Sequence, residues 1–276
     1  MAIKETATGN DAVAVAGTAS AGERTIGVQG AGDSIGVHGE GKNWHGVEGI
    51  SQSTVGGFGV FGVNSSGGTG VCGLSDGWIG VYGESKSTTG GAGVWGAHKA
   101  GGIGVAGIGD AAGVGVYGEG GRAAGLFKGD VEVTGDIRLT NADCAEDFDV
   151  SDAGLIAPGT VMVLGDADAL TPCRRSYDKR VAGVLSGAGD YRPGIVLDRQ
   201  PGQGSRSPVA LLGKVFCQVD AGYGPVAVGD LLTTSDTPGH AMKATDSVRA
   251  FGAVIGKALR PLEEGQGLIP ILIALQ

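Results

Sequence analysis

The feature that most constrains this chain is a four-residue unit, G-V-x-G, that occurs nine times. It begins at Gly27, Gly36, Gly46, Gly59, Gly70, Gly80, Gly93, Gly104 and Gly115, with steps of 9 to 13 residues and a mean of 11. A degenerate copy, Ala14-Val15-Ala16-Gly17, precedes the series, and Gly125-Leu126-Phe127-Lys128-Gly129 follows it. A repeat of this kind points to an architecture in which one small unit recurs and cannot bury its own apolar face.

The residue before the unit is usually apolar, as at Ile26, Ile35, Phe58, Ile79, Ala92, Ile103 and Val114. It stands two positions before the valine, so on a strand both side chains share one face. Each unit therefore reads as a short strand with two inward apolar residues. Turn-rich pieces such as Ser65-Ser-Gly-Gly and Ser85-Lys-Ser-Thr-Thr-Gly-Gly join the units. A step of 11 residues is short for a full single-chain β-helix coil, which needs three faces. Two architectures remain open. Several units build one coil of a monomeric solenoid, or three chains each supply one face of a shared triangular core, the reading preferred here. Glycine at the corners would permit positive φ and close approach of backbones.

Composition agrees with a β-protein. Glycine makes up 57 of 276 residues and interrupts every candidate helix, while only 9 prolines and no G-X-Y period exclude collagen. Hydrophobic residues still reach 41%, too many for a flexible linker. No apolar window is long enough for a membrane span. A net charge of −9 is the wrong sign for tracking phosphates, so nucleic acid is not an expected partner. The start of the chain lacks a basic region followed by an apolar core, so no secretory signal peptide is expected. Cys72, Cys144, Cys173 and Cys217 have no C-x-x-C spacing. They read as free thiols, with a Cys173–Cys217 disulfide as the alternative, and no metal or cofactor site is expected.

Four stretches match G-x-G-x-x-G, beginning at Gly57, Gly91, Gly102 and Gly113. None follows a long strand and opens a helix, so they are by-products of the repeat and not nucleotide sites. Two matches to G-x-S-x-G, at Gly32 and Gly73, lack the helix a nucleophile elbow needs. The x positions carry more information: Gln29, His38, Glu48, Phe61, Cys72, Tyr82, Trp95, Ala106 and Tyr117. By alternation they face away from the valines. Tyr82, Trp95 and Tyr117 are then either an exposed stripe that stacks on a surface glycan or docks a partner, or rings packed under loops and against a neighbouring chain.

After Lys128 the texture changes. Residues 130–140 alternate as a connector with a turn at Thr134-Gly135, and the repeat is gone from Asn141 onward. Strand-like runs follow at Gly159–Leu164, Arg180–Ser186, Pro208–Asp220, Pro225–Thr234, Ala250–Leu259 and Leu268–Ala274, punctuated by Gly, Pro and Asp. The last of these is nearly all apolar and should be central or at a subunit interface, with Pro270 marking an edge or bulge.

Three stretches carry a resemblance: Asp143-Cys-Ala-Glu-Asp-Phe148, Gly159-Thr-Val-Met-Val-Leu164 and Asp178-Lys-Arg-Val-Ala-Gly-Val-Leu-Ser186. Together they resemble the C-terminal domain of phage neck-appendage and tail-fibre proteins, the autoproteolytic intramolecular-chaperone family called peptidase G2. Gly213–Asp220 and Gly229–His240 are similar to the ends of other phage-fibre and bacterial repeat proteins. The resemblance implies a domain that trimerises a β-fibre. In some members it also implies self-cleavage before an Asp, which here would fall at Ala142–Asp143, with Asp143, Glu146 and Asp147 as the catalytic carboxylates. This chain has Ala142 where cutting members often carry a hydroxyl residue. A carboxyl kept protonated beside one acting as base is the chemistry such a site needs. The structural alternative is a solvated acidic segment.

The whole then reads as an all-β homotrimeric fibre or spike of a phage tail or phage-tail-like particle, made in a bacterial cytoplasm. Residues 1–24 attach to a baseplate or tail component, 25–129 form the repetitive β-helix or β-prism shaft, 130–140 connect, and 141–276 form a trimerising, chaperone-like head. Because repeat rungs look alike, a distinct head would set their register. The alternatives are a self-cleaving precursor, whose chemistry ends at autoproteolysis, and a glycan-binding adhesin.

Overall fold

The computed structural model describes residues 26, 28–54, 56–151, 153–165, 169–200 and 206–275. The proposed attachment segment, the degenerate unit at Ala14 and Gly27 lie outside the described residues. The chain divides into two units, 1–118 and 119–276. The ordered elements are all β, apart from one turn of α-helix and two short 3-10 turns.

In the first unit, backbone close approach and not positive φ explains the paired glycines. A Cβ added to the last glycine of one G-V-x-G would lie 2.3–2.6 Å from the carbonyl oxygen of the first glycine of the next. It would also lie 2.4–2.7 Å from that unit's valine Cγ2. The same holds at eight successive junctions, from Gly30/Gly36 to Gly107/Gly115. No larger residue fits without moving the backbone, because interiors tolerate no such overlap. Left-handed glycines occur instead in the loops, at Gly56, Gly67, Gly90 and Gly101.

Each loop is tied at its base by a second device. The residue two after the closing glycine is Ser51, Asn64, Ser75, Ser85 or His98, and its side chain accepts a backbone N–H from further along the loop. Asn64 Oδ1 takes two, from Ser66 at 3.0 Å and Gly68 at 2.9 Å. His98 Nδ1 takes two likewise, from Ala100 and Gly102. These are local side-chain turns that substitute for a ladder. After the four other units glycine holds this position, at Gly32, Gly41, Gly109 and Gly120, where an added Cβ would lie within 2.4–2.9 Å of the returning backbone.

Among the described residues this region has neither a buried core nor a strand ladder. Neither the units, expected as strands, nor the alternating segment 130–140 forms a β-ladder among the described residues. The only backbone–backbone bond found among the described residues of 28–140 is Gly113 N–H to Asp110 C=O at 3.0 Å. Every described residue from 26 to 141 is exposed. The unit valines are 67–75% exposed.

The head begins at β1 (Asp143–Asp149) and continues through β2 (Val161–Leu164), β3 (Leu170–Pro172), β4 (Val181–Leu185), β5 (Pro193–Leu197) and β6 (Arg206–Asp220). Next come β7 (Leu231–Thr234), β8 (Ala241–Lys243), the helical turn α1 (Ser247–Ala250), β9 (Val254–Ala258) and β10 (Gln266–Ala274). Strand β6 organises both halves. Its C-terminal part pairs with β10 and, through Val219–Ala241, with β8, and the ring β6-β10-β9-β7-β8 closes as a small barrel. Its N-terminal part pairs with β1 and β4, extending a sheet through β2 to β3 on one side and to β5 on the other. Closure removes exposed edges from the barrel.

The period-2 pattern fills the core. Val215, Cys217 and Val219 of β6 meet Ile269, Ile271 and Ile273 of β10 inside the barrel, with Leu232 and Ile255. A second cluster, Met162, Leu170, Leu185 and Val209 with Phe148 against it, covers the other face of the sheet extension. Between the two, β6 switches parity. Cys144 pairs with Leu212 but Ala145 with Ala210, so Leu211 and Leu212 form a bulge. Gly213 follows with φ 102°, and a Cβ there would press 2.7 Å from the Ala142 carbonyl oxygen.

Several sequence expectations change in detail. Residues 143–149 are a paired strand and not a solvated acidic segment, because Asp143, Ala145 and Asp147 alternate inward. Strands β3, β5 and β8 were not expected, being 3 to 5 residues long. The run Pro225–Thr234 is a strand only from Leu231, and Ala250 closes the helical turn capped by Asp246. Pro270 is neither at an edge nor in a bulge. Strand β10 is paired on both sides, and Pro270 sits one place past the end of its β9 pairing, where its carbonyl accepts from Leu259 N–H at 3.0 Å and its missing N–H leaves the return bond unmade, ending the ladder.

Candidate functional site

Strand β1 carries the three carboxylates that the sequence singles out, and its alternation separates them. Asp143 and Asp147 project inward, four residues apart, which on a strand is about 13 Å. Glu146 projects to the opposite face. The structure therefore does not bring the three together. Asp143 is buried and accepts a hydrogen bond from Ser186 Oγ at 2.8 Å, while its Oδ1 has no partner. Burial pushes its pKa above the ordinary carboxylate value, against the opposing pull of Ser186. Asp147 is buried too and pairs with Arg199 Nε at 3.1 Å. Arg206 donates to the Asp147 carbonyl and to the carboxylate of Asp198, which has φ 51°.

Ala142, whose carbonyl belongs to the Ala142–Asp143 peptide, is tied into the sheet on both sides. Ala142 N–H donates to the Arg192 carbonyl at 2.9 Å, and the Ala142 carbonyl accepts from Lys214 N–H at 3.3 Å. A recess of about 210 Å³, lined by Thr140, Ala142, Tyr191 and Lys214 among others, opens beside this peptide. Thr140 lines the recess, but it is Ser186, on the far side of the sheet sequence, that supplies the hydroxyl next to Asp143. Sequence reasoning missed Ser186 because 43 residues separate the pair.

The aromatic candidates lie in the repeat. Tyr82, Trp95 and Tyr117 are 72%, 83% and 79% exposed. Tyr82 OH donates to Glu84 at 3.0 Å, and Phe61 of the same series stacks on Phe58 at 5.0 Å. The valines on the other parity are almost as exposed, so the lone chain offers two apolar faces and does not single out the aromatic one.

Cys72, Cys144, Cys173 and Cys217 are free thiols. The alternative of a Cys173–Cys217 disulfide is not adopted, and burial pushes Cys173 to about 11 and Cys217 higher still, so both stay protonated and inert. Among the described residues no group of three or more His, Cys, Asp or Glu is placed to hold a metal ion, and no helix is long and apolar enough to cross a membrane.

No family model matches the chain, and no curated protein matches it either. Among solved structures, the head fibre gp8.5 N base of bacteriophage phi29 is similar at 18% identity over 49% of this chain and 91% of that chain. Its TM-score is 0.25, a likeness too low to place this chain in that fold.

Proposed function

We propose that the protein is a structural fibre or spike of three copies, whose shaft forms only between chains and whose head sets their register. One observation carries this reading. The repeat combines strictly placed glycine junctions with no buried residue and no strand ladder among the described residues. A backbone left unpaired is tolerated in water but not once apolar surface closes over it. Copies that meet along the valine face would supply both the missing strand partners and the missing apolar contact, about 1.5–3 kcal/mol for each valine fully buried. Three is the number for which one short unit per chain completes a triangular core. A self-similar shaft could zip up one unit out of step. The head, with a complete barrel core in each chain, can fold first and hold the copies level. Placement in a phage tail or tail-like particle rests on the sequence resemblance of residues 143–148, 159–164 and 178–186 to neck-appendage ends.

Native mass spectrometry or light scattering on the full chain tests the reading. Three times the chain mass is the expected result, and a monomer at micromolar concentration sinks it. Circular dichroism then reports β-structure from the shaft only in the assembled species.

Self-cleavage at Ala142–Asp143 is the second reading. The observation in its favour is a carboxyl directly after the bond whose pKa burial raises, with the Ser186 hydroxyl donating to it. A denaturing gel separates the readings. Two fragments that disappear in Asp143→Ala or Ser186→Ala support cleavage, and a single intact band rejects it.

A further inference from the structure

We infer that copies of the head meet on its outer face along the row Ile195–Cys144–Leu212–Ala274. The inference rests on the three-copy reading and names the surface that reading leaves open. The row is set by register. Cys144 of β1 stands opposite Ile195 of β5 and Leu212 of β6, and Leu212 stands opposite Ala274 of β10. Four strands thus present one apolar line with no charged side chain in it. The β6 bulge creates it, because the parity switch at Leu211/Leu212 turns Leu212 outward and leaves it 61% exposed.

Three observations favour a second copy as the occupant. First, Leu139, on the segment that leads in from the repeat, lines the same groove as Cys144, Ile195 and Leu212. The face therefore begins where the tethered chains must already run side by side. Second, Glu146 flanks the row on β1, and Lys257 flanks it on β9, opposite Leu272. A ring of three is a head-to-tail contact, so the acidic flank of one copy meets the basic flank of the next. Third, the most exposed apolar side chains elsewhere on the head, Leu155, Val248 and Phe251, sit at short helical turns and not along a sheet face. A row across four strands is the geometry of an interface, whereas single exposed apolar residues are ordinary.

The test uses the full chain and reads native mass together with alkylation of Cys144 and Cys217 by N-ethylmaleimide, mapped by peptide mass. Leu212→Asp and Ile195→Asp are expected to lose the three-copy species and to speed Cys144 alkylation. Buried Cys217 stays unreactive in both, which shows that the barrel is still folded. Val248→Asp and Phe251→Asp are expected to keep three copies. If wild type has three copies and both row variants keep them, with Cys144 alkylated as in wild type, the face is wrong while the fibre reading stands. If wild type is a monomer, the fibre reading itself fails. Should a row variant expose Cys217, the milder Leu212→Ser replaces it. Cys144 reacting in assembled wild type as fast as free glutathione also overturns the face.

Discussion

The two regions of this chain solve the same problem at different levels of organisation. The head buries Ile271, Val215, Leu232 and their neighbours within one chain, and its barrel closes on itself. The repeat has as regular an apolar pattern, yet no described residue between 26 and 141 is buried. The difference lies in the number of side chains per element. Strand β6 runs for 15 residues and can serve two cores at once. A G-V-x-G unit offers one valine and one preceding residue, and its glycines shape the path without filling space. A pattern can thus specify a backbone course in detail without burying its own apolar side chains within the chain.

The contrast is tested most strongly by removing core volume from each region. Ile271→Ala should cost about 2–5 kcal/mol, as large-to-small changes in a sealed core do. That loss, read by urea unfolding of the head, should not depend on protein concentration. Val81→Ala removes a side chain already exposed in the lone chain, so its effect should appear only in the assembled species and grow on dilution. Equal concentration dependence for both variants would erase the distinction between the regions.

A smaller effect is expected at the glycines. Gly73→Ala places a Cβ 2.3 Å from the Gly80 carbonyl and 2.6 Å from Val81 Cγ2, and overpacking of this kind costs about 1–3 kcal/mol. Gly77, in the loop of the same repeat, has nothing within 4 Å of an added Cβ. Gly77→Ala should therefore leave the melting temperature of the assembly unchanged. If the two alanines behave alike, the unit glycines are not there for close approach.

The repeat's organisation was legible in the sequence because its spacing is local. The positions of Gly30, Gly36 and Val37 announce a junction without reference to anything distant. Even the loop tie was readable, since Ser51, Asn64, Ser75, Ser85 and His98 recur two residues after the closing glycine, but the uneven loop lengths hid it. In the head, long apolar strands such as β6 and β10 were legible for the same reason. Strand β1 was not, because Asp143 and Asp147 occupy inward positions where an apolar residue is the usual signal. Its carboxylates drew attention as a catalytic group, although strand alternation places Glu146 opposite the other two. The closure of the barrel, the parity switch before Gly213 and the Asp143–Ser186 contact depend on pairing across tens of residues, which no local pattern encodes.

The smallest expected effect concerns that contact and bears only on the head. Asp143 has its pKa raised in the folded state by burial, so the folded chain favours the neutral acid more than the unfolded chain does. Its contribution to stability is complete below the ordinary carboxylate value and fades as pH rises through the raised one. Asp178, Asp220 and Asp230 work in the other sense. Hydrogen bonds from Arg180, Thr237 and Lys243 lower their pKa values, so their contribution is present above the ordinary value and fades as pH falls through the lowered ones. The head should thus lose stability on both sides of a mildly acidic optimum, for different reasons. Asp143→Asn keeps the shape and the acceptor for Ser186 Oγ while removing the titration. It should flatten the decline on the higher-pH side and leave the acid limb untouched. Urea midpoints across a pH series read both limbs in one experiment. A variant whose acid limb moves and whose upper limb stays would show that folding lowers the Asp143 pKa and does not raise it.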